Sequence, residues 1–505
     1  MVRRVFLPLL GVLVLASQSS ATWSIVCVNT RTREVGVASA TCLENFNLRS
    51  GVPVIVVGEG AAAAQSFIDL TGDNRRLIFF SFRNTEETPA QILARLAAQD
   101  TRHQTRQYGI VNFAGPPVSF TGRRDGEAAT GVSGQVGDIL YAIQGNVLTG
   151  DAVVFAAEAA FRAKKGDMGQ KIMAAMEAAR ALGGDGRCSC SNADPTGCGV
   201  PPPTFEKSAH VGVVVVARVG DTNGGCNESR GCAQGEYYLN LNVTRGGASD
   251  PDPVPTLQRR YDQWRAHLVG RPDGIRSVIG RIKSLPADGT TERTLVLELH
   301  DLDDRLITHG GAQVEITPLG GATPLAQVGK VIDLGNGRYA ITLRAGTEAG
   351  LDRFRVRITD VLPGSPDDVV VATLFPHLEI ETIETRLYAG AESLSAGSGG
   401  RIPFVVNQPD KPGAPYWLVA RLGSPEAQLS DRLRPRGFRP LPILESPFFP
   451  AAPLLLDRSG RSEVALEVPP GLLAPLIGTR IDVTGFVLDG PPIEATNSDG
   501  FEIVQ

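Results

Sequence analysis

Past about residue 286 the chain stops spacing its apolar residues for helices. Short runs at 293–300, 313–317, 329–333, 339–344 and 354–359 are separated by turns such as Gly335-Asn336-Gly337. Runs of that length and spacing predict β-sandwich modules. After Phe375-Pro376 a second set begins, with strands expected at 378–382, 402–407, 416–422, 461–468, 479–487 and 501–504. No helix longer than a turn is expected there.

Residues 22–245 read differently. Apolar, β-branched runs at 22–28 and 35–41 flank a turn at 31–34 and predict an opening hairpin. A third strand at 52–57 runs into the small-residue stretch 58–65. Thr88-Pro89-Ala90-Gln91 combines a capping box with Pro at the first helical position. Ile92, Leu93, Leu96 and Ala97 then share one helix face. Short strands are expected at 109–112, 118–121 and 139–143. Helices at 151–163 and 168–182 end at Gly183-Gly184, and a strand pair at 211–219 and 237–243 closes the region. Strands, then helices, then strands predict a layered α+β fold. Residues 246–285 form a connector with an amphipathic helix at 256–268. The assignment is a signal peptide at 1–21, an α+β domain at 22–245, the connector at 246–285, an immunoglobulin-like sandwich at 286–375 and a C-terminal β module at 376–505.

Arg3 and Arg4 precede an apolar run at 5–16, and Ser19 and Ala21 suit the −3 and −1 positions of a signal-peptide cut. The run is short for a bilayer span, and no other stretch reads as transmembrane. Cleavage would leave Thr22 as the new N-terminus and place the protein in the periplasm or outside the cell. The 49 basic residues against 54 acidic ones give a net charge of −5, which argues against a nucleic-acid partner.

The seven cysteines agree with export. Five of them, Cys188, Cys190, Cys198, Cys226 and Cys232, lie in two Gly/Pro/Asn-rich loops. No His lies inside either loop, and paired Cys-x-x-Cys spacing is missing, so disulfides are expected rather than a metal, and no cofactor. The strand between the loops holds them about 30 Å apart. Cys226 should therefore pair with Cys232, Cys198 with Cys188 or Cys190, and Cys42 with the remaining one, leaving Cys27 free.

No His-Glu-x-x-His, Gly-x-Ser-x-Gly or phosphate-binding loop occurs. His103, in a charged stretch, reads as a solvated helix-end residue. Thr22 is the candidate that carries chemistry. Cleavage would put a hydroxyl and a free α-amine on one residue, and an amine of pKa about 7.7–8.0 can act as base for its own hydroxyl. Gly60 and Ala61 are candidates for an oxyanion hole built from backbone N–H groups.

Thr22-Trp23-Ser24-Ile25-Val26 resembles the start of a bacterial family catalogued as domain of unknown function 1028, whose fold is N-terminal-nucleophile (Ntn) hydrolase-like. Further matches follow in order. They include Val35-Gly36-Val37-Ala38, Val52-Pro53, Ala63-Ala64-Gln65, Arg106-Gln107, Phe120-Thr121-Gly122, Gln144-Gly145-Asn146, Gly183-Gly184-Asp185, Ser208-Ala209 and Asp252-Pro253. The resemblance spans about residues 22–270 and implies a four-layer αββα sandwich. Among the matched residues, Gln65, Gln144 and Asn146 either line a substrate pocket or are buried amides serving the backbone. Asp185 either orients the terminal amine or caps a strand. The chain departs from the pattern in two ways. It has no Lys before Lys164, and it carries Lys207-Ser208-Ala209 where the family usually shows Gln-Ser-Ala. In the last module, Tyr416-Trp417-Leu418-Val419, the apolar loop 446–450 and Val468-Pro469-Pro470-Gly471-Leu472 resemble a C-terminal β module of secreted bacterial proteins.

Two functions from different classes fit. One is an exported amide hydrolase acting on a peptide or other amide, with Thr22 as nucleophile and the β modules making cell-surface contact. The other is a non-catalytic surface or binding protein on an Ntn-like scaffold.

Overall fold

The computed structural model describes residues 22–505 except 281–283, 321–323, 363–364, 384–386, 392, 409–410, 424–452, 459 and 489–493. The expected signal segment and the loop 446–450 lie outside the described residues. The chain divides into two compact units, residues 1–269 and 270–505.

In the first unit β1 (Thr22–Asn29) and β2 (Val35–Thr41) form the expected hairpin, with Trp23 opposite Ala40 and Val28 opposite Val35. A helical turn, α1 (Leu48–Gly51), leads into a four-stranded sheet of β3 (Pro53–Val56), β4 (Gly60–Ser66), β5 (Arg106–Asn112) and β6 (Val118–Thr121). The larger sheet adds β7 (Thr130–Val136), β8 (Ile139–Asn146), β9 (Val211–Ala217) and β10 (Leu239–Val243) in the order β10-β9-β2-β1-β8-β7. Neighbouring strands in both sheets run antiparallel. The helices are α2 (Asp73–Asn84), α3 (Pro89–Gln99), α4 (Ala152–Ala163), α5 (Met168–Ala181), the turn α6 (Gly186–Ser189) and α7 (Pro253–His267). Among the described residues no helix is long and apolar enough to cross a membrane.

Side chains alternate across a strand, so each sheet has two faces to bury. On the large sheet Trp23, Ile25 and Cys27 pack with Phe161 of α4, Met173 and Met176 of α5 and Leu257 of α7. The opposite face, with Val26, Val28, Val35, Val37 and Val213, meets Ile55, Ala61, Ala63 and Val111 of the small sheet. The small sheet's other face, with Val54, Ala62 and Tyr108, packs on Phe79 and Phe82 of α2 and on Ile92 and Leu96 of α3. Burial on both faces explains why β1 and β2 read as nearly unbroken apolar runs.

Four elements depart from the sequence reading. The stretch 58–65 is mostly a strand, reached through a tight turn in which Gly58 has φ +70°. Helix α2 and strand β7 occupy segments where neither was expected. The helix expected at 256–268 starts at Pro253, because the Asp252 carboxylate accepts from the Val254 N–H at 2.8 Å and caps it there.

The second unit is all strand apart from one 3₁₀ turn among the described residues. Val278–Ile279, Glu292–Glu298, Arg338–Arg344 and Gln327–Gly335 make one sheet. Leu285–Pro286, Leu378–Ile383, Gly350–Val361 and Gln313–Pro318 make another, and Leu295, Ile341, Phe354, Val356 and Ile380 share one core. Leu378–Ile383, expected to open the later module, instead pairs with Gly350–Val361. A second core holds Phe404, Tyr416, Val483 and Phe501, from a three-stranded and a five-stranded sheet.

Candidate functional site

The interface between the two sheets of the first unit changes character along its length. On β1, Thr22 and Ser24 lie on the same face as Val26 and Val28. On β2 Ser39 and Thr41 follow Val35 and Val37, and on β8 Gln144 and Asn146 follow Ala142. The small sheet answers with Gln65 after Ala61 and Ala63, and with Gln107 before Val111. All eight polar residues are at most 1% exposed. Burying polar groups without partners is costly, so this end must be internally satisfied or must receive a ligand.

Most of it is internally satisfied. The Gln65 Nε2 donates to the Thr22 carbonyl at 2.7 Å and to Gln107 Oε1 at 2.8 Å, while Gln65 Oε1 accepts from the Ser24 hydroxyl. Ser24 and Ser39 share a hydroxyl contact of 2.5 Å. Gln107 Nε2 reaches Thr121 Oγ1 at 2.9 Å and the Gly145 carbonyl at 2.8 Å. Gln144 is the exception: neither atom of its amide has a partner. Its amide fills the space left by Gly109, where a Cβ would lie 2.4 Å from Gln144 Oε1.

Thr22 pairs with Asn146 across β1 and β8. Asn146 Nδ2 donates to Ser66 Oγ at 3.2 Å and to the Asp125 carbonyl at 3.4 Å. Asp125 is 1% exposed, accepts the Gly122 N–H at 2.7 Å and hydrogen-bonds Ser66. Burial outweighs these bonds and pushes its carboxyl up to about 7. Ser66, with φ +70°, and Val147, with φ +51°, are non-glycine residues held in left-handed backbone beside this group.

Asp185, fully buried, sits at the same end of the large sheet. Its carboxylate accepts from the Cys42 N–H at 2.7 Å and from Arg187 Nη2 at 2.9 Å and Nε at 3.1 Å. Arg187 Nη2 also reaches Thr41 Oγ1 at 3.5 Å. Asp185 thus ties the end of β2 to the turn α6. Lys207, the departure from the family motif, spends its ammonium on the carbonyls of Gly247, Ala248 and Asp250.

The structure therefore gathers Thr22, Gln65, Gln144, Asn146 and Asp185 at one end of the sheets. It does not bring Gly60 and Ala61 there. They lie at the far end of β4, about 17 Å (Gly60) and about 13 Å (Ala61) from Gln65 at 3.3 Å per residue. Gly60 pairs with Val56 and Asn112, and Ala61 with Ile55 and Val111, so β4 is bordered on both edges. His103 is not solvated: it is 8% exposed and stacked on Phe120 at 4.2 Å, because the short turn 103–105 folds under β5 and β6. Sequence reasoning assigned no role to Ser24 and Gln107 beyond the family resemblance, and none at all to Ser39, Ser66 and Asp125. The signal for Ser24 was the change from polar to apolar within one strand face, Thr22-Ser24 then Val26-Val28. A surface groove of about 800 Å³ bordered by Asp69, Arg76, Ser81, Arg95 and Asp100 includes none of the inter-sheet amides.

The disulfides are Cys42–Cys188, Cys190–Cys198 and Cys226–Cys232, with Cys27 buried and free. This resolves the alternative left open for Cys198.

Comparison with known proteins bears on both units. No curated protein matches the chain. A solved structure of a Silicibacter pomeroyi protein of the DUF1028 family is 18% identical over 48% of this chain and 89% of its own, with a TM-score of 0.34. The adhesin InvE of Yersinia pseudotuberculosis is 16% identical over 46% of this chain and 60% of its own, with a TM-score of 0.19. The Escherichia coli adhesin FdeC is 10% identical over 96% and 97%, with a TM-score of 0.18. Residues 277–373 match the family model of invasin domain 3, and residues 22–193, from the hairpin through the Asp185 turn, match that of the family of unknown function DUF1028.

Proposed function

We propose that the protein is an exported amide-bond hydrolase of the Ntn type, its first unit an αββα sandwich and Thr22 its nucleophile once the signal peptide is removed. The observation that carries this is the placement of Thr22 at the polar end of a buried layer of hydroxyls and amides, with its carbonyl held by Gln65. In this reading the neutral α-amine takes the proton of the Thr22 hydroxyl as Oγ attacks the substrate carbonyl. The amine then returns that proton to the leaving nitrogen, and water cleaves the resulting ester. The reference pKa of a free α-amine is about 7.7–8.0, and in this reading activity rises with pH as the Thr22 amine loses its proton. Three disulfides support a periplasmic or extracellular location.

The test is the mature N-terminus followed by mutation. N-terminal sequencing of the exported protein should begin at Thr22. Thr22→Ala should abolish amidase activity on a panel of peptide and cell-wall amides, Thr22→Ser should retain part, and one added residue before Thr22 should abolish it. Full activity in the extended form sinks the reading. The invasin domain 3 match favours a second reading, a non-catalytic surface protein whose β modules make the contact. That reading predicts surface binding indifferent to every Thr22 variant.

A further inference from the structure

The Cys42–Cys188 bridge has a third group beside it. His210 lies just before β9, 22 residues past Cys188, and is 9% exposed. The sulfurs of Cys42 and Cys188 and a ring nitrogen of His210 all lie within 4.8 Å of one another. Cys42 Sγ is 3.8 Å from His210 Nδ1, and Glu44 Oε1 is 4.0 Å from that same nitrogen. Both cysteines are half-buried, so a reductant can reach them. The expectation against metal rested on loops without histidine and without Cys-x-x-Cys spacing. Here the three groups come from three separate segments, residues 42, 188 and 210, which only the fold brings together.

We propose that this corner is a redox-gated zinc site, in which reduced Cys42 and Cys188 with His210 bind one Zn²⁺ and Glu44 is placed to supply a fourth ligand. A dithiol delivers two electrons and two protons to the Cys42–Cys188 bond, which breaks as the dithiol closes to its own disulfide. Zinc then displaces the two thiol protons. Two thiolates, one imidazole and one carboxylate make a tetrahedral N/S/O set suited to zinc. His210 Nδ1 now lies 3.1 Å from the Cys42 carbonyl, and the tautomer with its proton on Nε2 frees the Nδ1 lone pair for the ion. The metal takes over the role of the disulfide, holding the α6 turn against the end of β2. This places it one residue past Thr41 and next to the Asp185–Arg187 pair. The inference stands independently of any hydrolase activity.

The full chain is reduced with a phosphine that does not compete for zinc, itself oxidised to the phosphine oxide. It is loaded with Zn²⁺, desalted and assayed for zinc per chain. The reduced chain should retain one zinc and the oxidised chain none. His210→Ala should weaken zinc binding at least about ten-fold. The double substitution Cys42→Ser with Cys188→Ser should remove it, while Cys190→Ser with Cys198→Ser should leave it. Cobalt(II) in place of zinc should give the visible spectrum of a tetrahedral thiolate site, with the native far-ultraviolet circular dichroism preserved. No retained zinc, zinc indifferent to His210→Ala, zinc that follows the other cysteines, or zinc taken up only as the fold is lost would each overturn the proposal.

Discussion

Asp125 shows how burial rewrites the chemistry of one residue. Its carboxyl, raised from 3.8 to about 7, stays protonated in the folded state where the unfolded chain has already ionised. The stability it contributes is therefore fully present below pH 4 and is lost as pH rises through 7. A shift of that size corresponds to about 4 kcal/mol. Asp125→Asn, which cannot ionise, should flatten the fall in stability between pH 4 and 8, measured by urea unfolding at each pH. An unchanged pH profile would mean that Asp125 ionises normally in the fold. Cys27 is the second case. Burial, and to a lesser degree the Glu34 carboxylate, push its thiol far above the ordinary range. It should resist alkylation in the native protein at pH 8 and react at once in denaturant, as thiol counting by mass would show. Its free state was legible, because a strand-interior cysteine has no loop partner. Asp125 was not, because nothing local says that Ser66, 59 residues earlier, closes over it.

Among the elements, those with local signals were legible and those held by packing were not. Helix α3 announces itself. Thr88 accepts from the Gln91 N–H while Gln91 caps back, and Pro89 occupies the first turn. Thr88→Ala should cost about 1 kcal/mol, read as a shift in the unfolding midpoint. Helix α2 carries Phe79, Phe80 and Phe82, residues that suit a strand equally well, and its N-cap is Gly72 at φ +73° with no side-chain bond. It is a helix because Ile78, Phe79 and Phe82 cover the outer face of the small sheet. The end of α5 was legible through Gly183-Gly184, but the reason for the second glycine is tertiary. Gly184 has φ +59°, and a Cβ there would lie 2.7 Å from the Trp23 ring. Gly184→Ala should cost about 2–5 kcal/mol, adding left-handed strain to overpacking. A stability within 0.5 kcal/mol of wild type, the spread of ordinary surface changes, would show that Trp23 can move aside.

At the scale of the whole molecule the chain is two units with separate cores. Among the described residues, the first unit's clusters draw on residues 23–264 and the second unit's on residues 279–503. Residues 22–269 and 270–505 should therefore each fold alone, and calorimetry of each fragment should reproduce its transition in the full chain. A fragment without a cooperative transition would show that its core is incomplete. Helix α7 belongs in the first fragment, since Val254, Leu257 and Tyr261 are part of its core. A cut at the expected boundary of 245 should destabilise that unit.

Alternation, capping residues and turn glycines act over a few positions, so the sequence by itself determined the opening hairpin, the capped helices, the switch to β modules and the pool of cysteines that pair. It also placed Thr22 at a strand start. Only the tertiary structure decided which faces meet. Stacking one sheet on the other brings Gln65 and Gln107 to Thr22 and Ser24, closes Asp125 under Ser66, carries Gly60 and Ala61 away, and sets His210 beside Cys42 and Cys188. Periodicity tells a residue which face it is on, whereas its partner across the layer depends on register and stacking between segments far apart in the chain, and those are set by the packing of the whole unit.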